Sequence, residues 1–226
     1  QILKKAVADN YLSKNPFDVR KIKRKKESKK LRWLSADEIK LLLENSSNWM
    51  KSIISIGVNL GLRTSDISGL KWSNIDFKKN QVLLYMAKTK KLCTIPMNEP
   101  VRKTFEQLKE HWINPYTDKI IKRSEKQNEY VLCNESGEII KSFRRAFYRL
   151  IKKVGLKGVT PHTMRHSFAS HCVMNGVPLE VLKEYLGHSS IQTTMIYAHL
   201  TNEHLHKYVN NINVGVDEDN LFQFKQ

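Results

Sequence analysis

The chain has 226 residues, 40% hydrophobic and 9% aromatic, enough for one well-buried domain with a short appendage. No apolar run approaches the ~20 residues a membrane span needs, which predicts a soluble protein with no membrane partner. Thirty-nine Lys and Arg against 22 Asp and Glu leave a net charge of +17, roughly half of it beyond residue 34, so the body of the domain itself favours a polyanion.

Residues 1–20 open with helical spacing at Ile2, Leu3, Ala6 and Val7 and leave it at Asp9 and Asn10. Asn15 and Pro16 break the chain, and from Arg20 to Arg32 the sequence is basic with only Glu27 opposing. The chain begins at Gln1 with no charged-then-apolar leader. Residues 1–20 are therefore expected to end a preceding domain, and residues 21–34 to be a basic linker able to lie along a phosphate backbone.

The main domain is expected over residues 35–210. Ser35, Ala36, Asp37 and Glu38 form a capping box leading into Ile39, Leu41, Leu42 and Leu43. A second helix runs from about Trp49 to Leu60 and stops at Gly61. Val82 to Met86 and Leu92 to Met97 alternate as two strands around the Lys-rich turn 87–91, a hairpin. Glu99 to Trp112 has amphipathic helical spacing, residues 113–128 read as a polar loop, and Phe143 to Val154 is helical until Gly155 and Gly158 break it.

From there the chain is all helix. Thr160 is an N-cap with Pro161 at the first helical position, Pro178 opens a second helix closed by Gly187, and Ser189 or Ser190 caps a third that carries Tyr197. The predicted fold is mainly α with a small antiparallel β-sheet. Cys93, Cys133 and Cys172 are odd in number and widely spaced, which suits reduced thiols in a cytoplasm and neither a disulfide framework nor a zinc ribbon.

Three clusters carry chemistry. Arg63 follows the helix-ending Gly61 and precedes a new helix, where a guanidinium can face a phosphate beside free backbone N–H groups. Asp66, one turn on, is placed to hold that guanidinium or a neighbouring imidazole. His162 and Arg165 stand at i and i+3 near a helix N-terminus, a proton carrier beside a phosphate clamp. His162 and His166, at i and i+4, also have a metal-ligand spacing, but no carboxylate or further His at a short second spacing completes such a set. His188 follows Gly187 at a helix junction, nine residues before Tyr197.

Taken in order, Gly-Leu-Arg at 61–63, His-x-x-Arg at 162–165, Leu-Gly-His at 186–188 and Tyr197 resemble the tyrosine recombinase (phage integrase) family, over Ser35 to about Asn210. The resemblance implies that family's catalytic-domain fold, with residues 1–34 as the end of its core-binding domain and the following linker. It implies that Arg63 and Arg165 bind the scissile phosphate, His162 and His188 fill the two histidine positions, Tyr197 is the nucleophile and Asp66 supports the site. Counting back eight residues from Pro96 places the family's hairpin lysine at Lys88, with Lys90 and Lys91 as competitors.

These side chains suit the reaction so implied. A phenol titrates near pH 10, so phenolate at pH 7 costs about 4 kcal/mol unless a base or positive field absorbs it. His162 is the expected proton acceptor, the arginines and His188 stabilise charge growing on the phosphate, and a hairpin lysine protonates the leaving 5′-oxygen. No metal or cofactor is then required. The resemblance further implies double-stranded DNA as partner, a homotetramer on two DNA sites, accessory DNA-bending or directionality factors, and work in the cytoplasm on the nucleoid. The tail 211–226, acidic at Asp217, Glu218 and Asp219 and then apolar at Leu221, Phe222 and Phe224, is expected either to dock on a neighbouring protomer or to be a disordered end. Two other readings are a helix-turn-helix DNA-binding protein without chemistry, built on residues 176–187 and the helix after them, and a type IB topoisomerase-like nicking-closing enzyme.

Overall fold

A computed structural model of the protein describes residues 2–15, 31–86 and 91–200. The basic linker, the hairpin turn with Lys88 and Lys90, and the tail lie outside the described residues, and of Lys91 only the backbone is described. The chain divides into two units, Gln1–Lys30 and Leu31–Gln226. In the first, helix α1 (Ile2–Ala8) ends where the backbone reverses at Asn10, whose φ of 60° is in the left-handed region that asparagine tolerates.

The second unit is mainly helical with small antiparallel sheets, as the spacing predicts. Helix α2 (Ala36–Asn45) starts on the expected capping box, with Ser35 Oγ accepting from Glu38 N and Glu38 Oε2 accepting from Ser35 N. Helix α3 (Asn48–Leu60) is capped by Ser47 and also by the carboxylate of Asp118, which accepts from Asn48 N at 2.8 Å and Trp49 N at 2.9 Å. A carboxylate on the positive end of a helix gains both hydrogen bonds and dipole attraction. Helix α4 (Thr64–Ser68) follows directly.

The predicted hairpin is strand β2 (Gln81–Met86) paired with β3 (Lys91–Pro96), and a two-residue strand β1 (Ile75–Asp76), not foreseen, pairs with β2. Helix α5 (Glu99–Glu110) is two residues shorter than expected, because His111 to Ile113 leave it as strand β4. The segment read as a polar loop contains β5 (Ile120–Lys122), antiparallel to β4. Arg123 explains the order there. It donates to the carbonyls of Leu108 at 2.6 Å, Gln127 at 2.5 Å and Val131 at 2.9 Å, with its guanidinium 5.1 Å from the Trp72 ring centroid. Carbonyls that would otherwise face a dry interior unbonded converge on one cation.

Helices α6 (Arg144–Val154), α7 (Pro161–Met174) and α8 (Leu179–Leu186) complete the unit, with Gly155 closing α6 at φ 72° as the sequence suggests. The third predicted helix is instead two 3-10 segments, Ile191–Thr193 and Met195–Leu200, and the second holds Tyr197. The large core joins α2, α3, α5, α6 and the β1–β3 sheet around Leu42, Ile53, Ile56, Phe105 and Phe147. A smaller cluster of Ala169, Val173, Leu182, Leu186, Tyr197 and Leu200 lies between α7, α8 and the last 3-10 segment. Helix α7 is thus buried from two sides, which fixes the residues it presents to the site.

Candidate active site

Arg165 is the most constrained of the predicted residues. It is 3% exposed, and its Nη1 donates to Gly61 O at 2.8 Å while Nη2 donates to Leu186 O at 2.6 Å. Both carbonyls are at helix C-termini, α3 and α8, where the backbone dipole is negative and the last C=O groups lack helical partners. Each helix ends on a glycine in the left-handed region, Gly61 at φ 58° and Gly187 at φ 61°. A Cβ on Gly61 would collide with the ring of Phe168 on α7. The glycines that turn the chain toward Arg63 and His188 therefore also expose the carbonyls that seat Arg165. Burial and the nearby Arg63 pull its pKa to about 10, which leaves it a cation at neutral pH.

Arg63 is the residue just before α4, half-buried, with Nη1 at 3.9 Å from Asp66 Oδ2. Of the two partners expected for Asp66, a guanidinium or an imidazole, it faces the Arg63 guanidinium at ion-pair rather than hydrogen-bond distance. Asp66 Oδ1 accepts from Ser65 Oγ at 3.2 Å.

His188 sits just past α8 with Nδ1 at 2.9 Å from the buried hydroxyl of Thr194. Desolvation, then Arg165, Arg63 and the two neighbouring imidazoles, push its pKa down to about 4, so the ring is neutral at pH 7. When Thr194 donates to Nδ1, the proton resides on Nε2, and the neutral ring still offers a donor.

His162 stands at the N-terminal end of α7, partly open to solvent, its pKa lowered by desolvation and by Arg165 and Arg63. Its ring meets that of His166 edge-on, with centroids 4.5 Å apart. Among the described residues no group of three or more His, Cys, Asp or Glu is placed to hold a metal ion.

Tyr197 is 1% exposed, and its phenol oxygen lies 2.7 Å from His166 Nδ1. The phenol's hydrogen-bond partner here is His166, while His162, the proton acceptor expected from sequence, stands one turn earlier on α7. His166 is one turn further along α7, and the 3-10 segment packs against that helix. Burial lifts the Tyr197 phenol to about 12 against the pull of Arg165, while desolvation, His162 and Arg165 depress His166 to about 4. Both shifts oppose proton transfer from the phenol to the imidazole in the DNA-free protein. The phenol keeps its proton, and one hydrogen bond joins the two neutral groups.

The structure thus brings together Arg63, Asp66, His162, Arg165, His188 and Tyr197, and adds His166. The only sequence signal for His166 was its i+4 spacing from His162, which also fitted a metal site.

Comparison with known proteins gives the following. The profile of the Phage integrase family matches residues 32–204. A tyrosine recombinase XerD from Oceanobacillus iheyensis is 31% identical over 191 residues, covering 80% of this chain and 62% of the relative. The crystal structure of XerA recombinase aligns with a TM-score of 0.61 at 27% identity, covering 80% of this chain and 64% of that one. The catalytic domain of bacteriophage HP1 integrase aligns with a TM-score of 0.58 at 26% identity, covering 80% of this chain and 94% of that one. The chain spans less than two thirds of the length of the XerD relative.

Proposed function

This chain belongs to the phage integrase family, and from that premise we propose that it cuts and rejoins double-stranded DNA through a 3′-phosphotyrosine on Tyr197. One observation carries the reading: guanidinium, imidazole and phenol groups from residues 63 to 197 meet at the ends of α3, α7 and α8. Arg63 and Arg165, cationic and already oriented, bind the non-bridging oxygens of one phosphate, and His188 adds a hydrogen bond as charge grows there. Tyr197 attacks phosphorus and the 5′-oxygen leaves, protonated by the hairpin lysine, Lys88 in preference to Lys90 or Lys91. The phosphate ester is conserved in the phosphotyrosine, so rejoining to another 5′-hydroxyl needs no nucleotide cofactor and the arginines supply the charge a metal would.

Arg165 and Tyr197 are both closed off from solvent, so DNA must open the site. The 3-10 segment Met195–Leu200 is the element suited to move, since its i+3 bonds are poorer than those of an α-helix. Residues 1–20 as a domain end, 21–34 as a linker laid on the DNA, and assembly as a homotetramer on two sites, with accessory bending or directionality factors, complete the proposal. Work on the nucleoid in the cytoplasm follows from the substrate.

The test is a pool of nicked duplexes with a randomised core, incubated with the full-length protein and denatured in SDS. A protein–DNA adduct that resists SDS and disappears in Tyr197→Phe is the expected result. DNA retardation without any adduct would favour the helix-turn-helix reading. Adducts that resolve only by resealing the same strands would favour the nicking-closing enzyme.

A further inference from the structure

We propose that His171 is a positioning residue of the cleavage reaction: it ties the end of the basic linker to α7, so that linker and phosphate clamp hold one DNA backbone in register. The proposal rests on the recombinase reading above. Its ground is a four-residue strap, residues 31–34, held on α7 by contacts that the reaction itself does not use.

The strap is fixed by its backbone. Leu34 N donates to Ser167 Oγ at 2.8 Å and Leu34 O accepts from His171 Nε2 at 2.9 Å, so both main-chain polar groups of one residue end on α7. A carbonyl can only accept, which puts the imidazole proton on Nε2. Ser167 Oγ in turn donates to Thr163 O at 2.7 Å, leaving a lone pair for the strap. The Trp33 ring meets the His171 ring edge-on, with centroids 5.3 Å apart. Leu34 is fully buried in the large core and Leu31 packs against the small cluster, so the strap spans both. Arg32 holds it from the flank, donating to Lys157 O at 3.3 Å and pairing with Glu38 of α2.

The helix that takes this strap also carries Arg165, six residues before His171, or about 9 Å along the axis. From Arg20 to Lys30 the chain holds eight Lys or Arg against Glu27, and this run joins the catalytic unit at Leu31. Cations free to swing would add affinity and little rate. Binding energy gained away from the reacting phosphate speeds cleavage only where a stiff path carries it to the transition state. The two hydrogen bonds at Leu34 supply that path. They involve neither Tyr197 nor the 3-10 segment, so the site can open without breaking them.

The experiment uses the full-length protein and the duplex selected with it, at saturating DNA, and follows single-turnover adduct formation. Two variants divide the contact: His171→Phe keeps a ring beside Trp33 without a donor, and His171→Gln keeps an amide donor for Leu34 O without the ring. Each is combined with a linker in which Lys23, Arg24, Lys25 and Lys26 are changed to Gln. Neutralising the linker alone should slow cleavage on the order of tenfold, and His171→Phe alone by a similar factor. The two together should be no more than about twofold slower than either, because an untied linker has nothing left to contribute. His171→Gln should cleave close to the wild-type rate and keep the full linker effect. Effects that multiply to about a hundredfold in the double variant would make His171 an ordinary residue of the fold and overturn the proposal. So would a neutralised linker or His171→Phe that cleaves as fast as wild type. Hydrogen exchange reads the tie without DNA: the Leu34 amide should lose protection in His171→Phe and keep it in His171→Gln, with Ala169 and Val173 protected in both. An unchanged Leu34 amide, or protection lost throughout α7, overturns it too. Wild-type protein that never forms an adduct, with exchange behaving as expected, fails the recombinase reading and leaves His171 a tie with no part in cleavage.

Discussion

Arg165, the proposed phosphate clamp, is buried with helix-end carbonyls as its hydrogen-bond partners. Its guanidinium gives N–H groups to two helix-end carbonyls, Gly61 O and Leu186 O, and so remains a pre-aimed cation. Arg165→Ala should slow adduct formation by on the order of 10²- to 10³-fold, the scale of losing a transition-state donor. DNA affinity should stay within a few-fold, because the charge excess of +17 is spread along the chain. A fall in affinity matching the fall in cleavage would contradict a transition-state role. The imidazoles make a prediction about acid stability. His166 and His188 titrate at about 4 in the folded chain against ~6.5 unfolded, so the unfolded state binds protons first. Their stabilising effect is whole above pH 6.5 and is lost as pH falls to about 4. Calorimetric melting across that window should show Tm falling with acid, less steeply in His188→Gln, and parallel curves would refute the assignment. Most of these residues were legible as motifs, since Arg63, His162, Arg165, His188 and Tyr197 stand at recognisable spacings. The contact of His166 with Tyr197 was not, because it spans 31 residues and no local pattern encodes it.

At the scale of elements, helix ends do the positioning. Gly61 closes α3, holds a positive φ, and leaves room for Phe168 of α7. Gly61→Ala should cost about 2–5 kcal/mol, combining left-handed strain with overpacking. Cleavage should fall further than stability accounts for, since the shifted carbonyl no longer seats Arg165. Denaturant unfolding checks this, and a loss under about 1 kcal/mol would contradict it. The strong helices were readable from caps and periodicity: Ser35 with Glu38, Pro161 behind Thr160, Gly155 and Gly187. The β4–β5 pair was not, because three-residue strands carry too little alternation and their order comes from Arg123 gathering distant carbonyls. The Tyr197 segment shares that difficulty. Ser190 does cap a helical turn, with Oγ accepting from Gln192 N at 3.3 Å, but packing of Tyr197 and Leu200 against α7 and α8 draws it into 3-10 form.

Across the whole molecule, the basic surface and the buried site divide the labour. In the proposed reaction diffuse charge would bring DNA near with little selectivity, and the few fixed groups at the ends of α3, α7 and α8 would act on one phosphate. The fold class was legible because long periodic helices outweigh the small sheets, whereas the closed state of the site depends on tertiary packing that composition does not report. Tyr197 serves in both clusters of facts, as a core side chain and as the proposed nucleophile, and a residue so placed must be moved by its substrate to react. The most direct measurement is mass spectrometry of the trypsin-digested covalent adduct. A nucleotide 3′-phosphate attached to the peptide containing Tyr197 is the predicted result. Attachment at any other residue, or through a 5′-phosphate, would contradict the account.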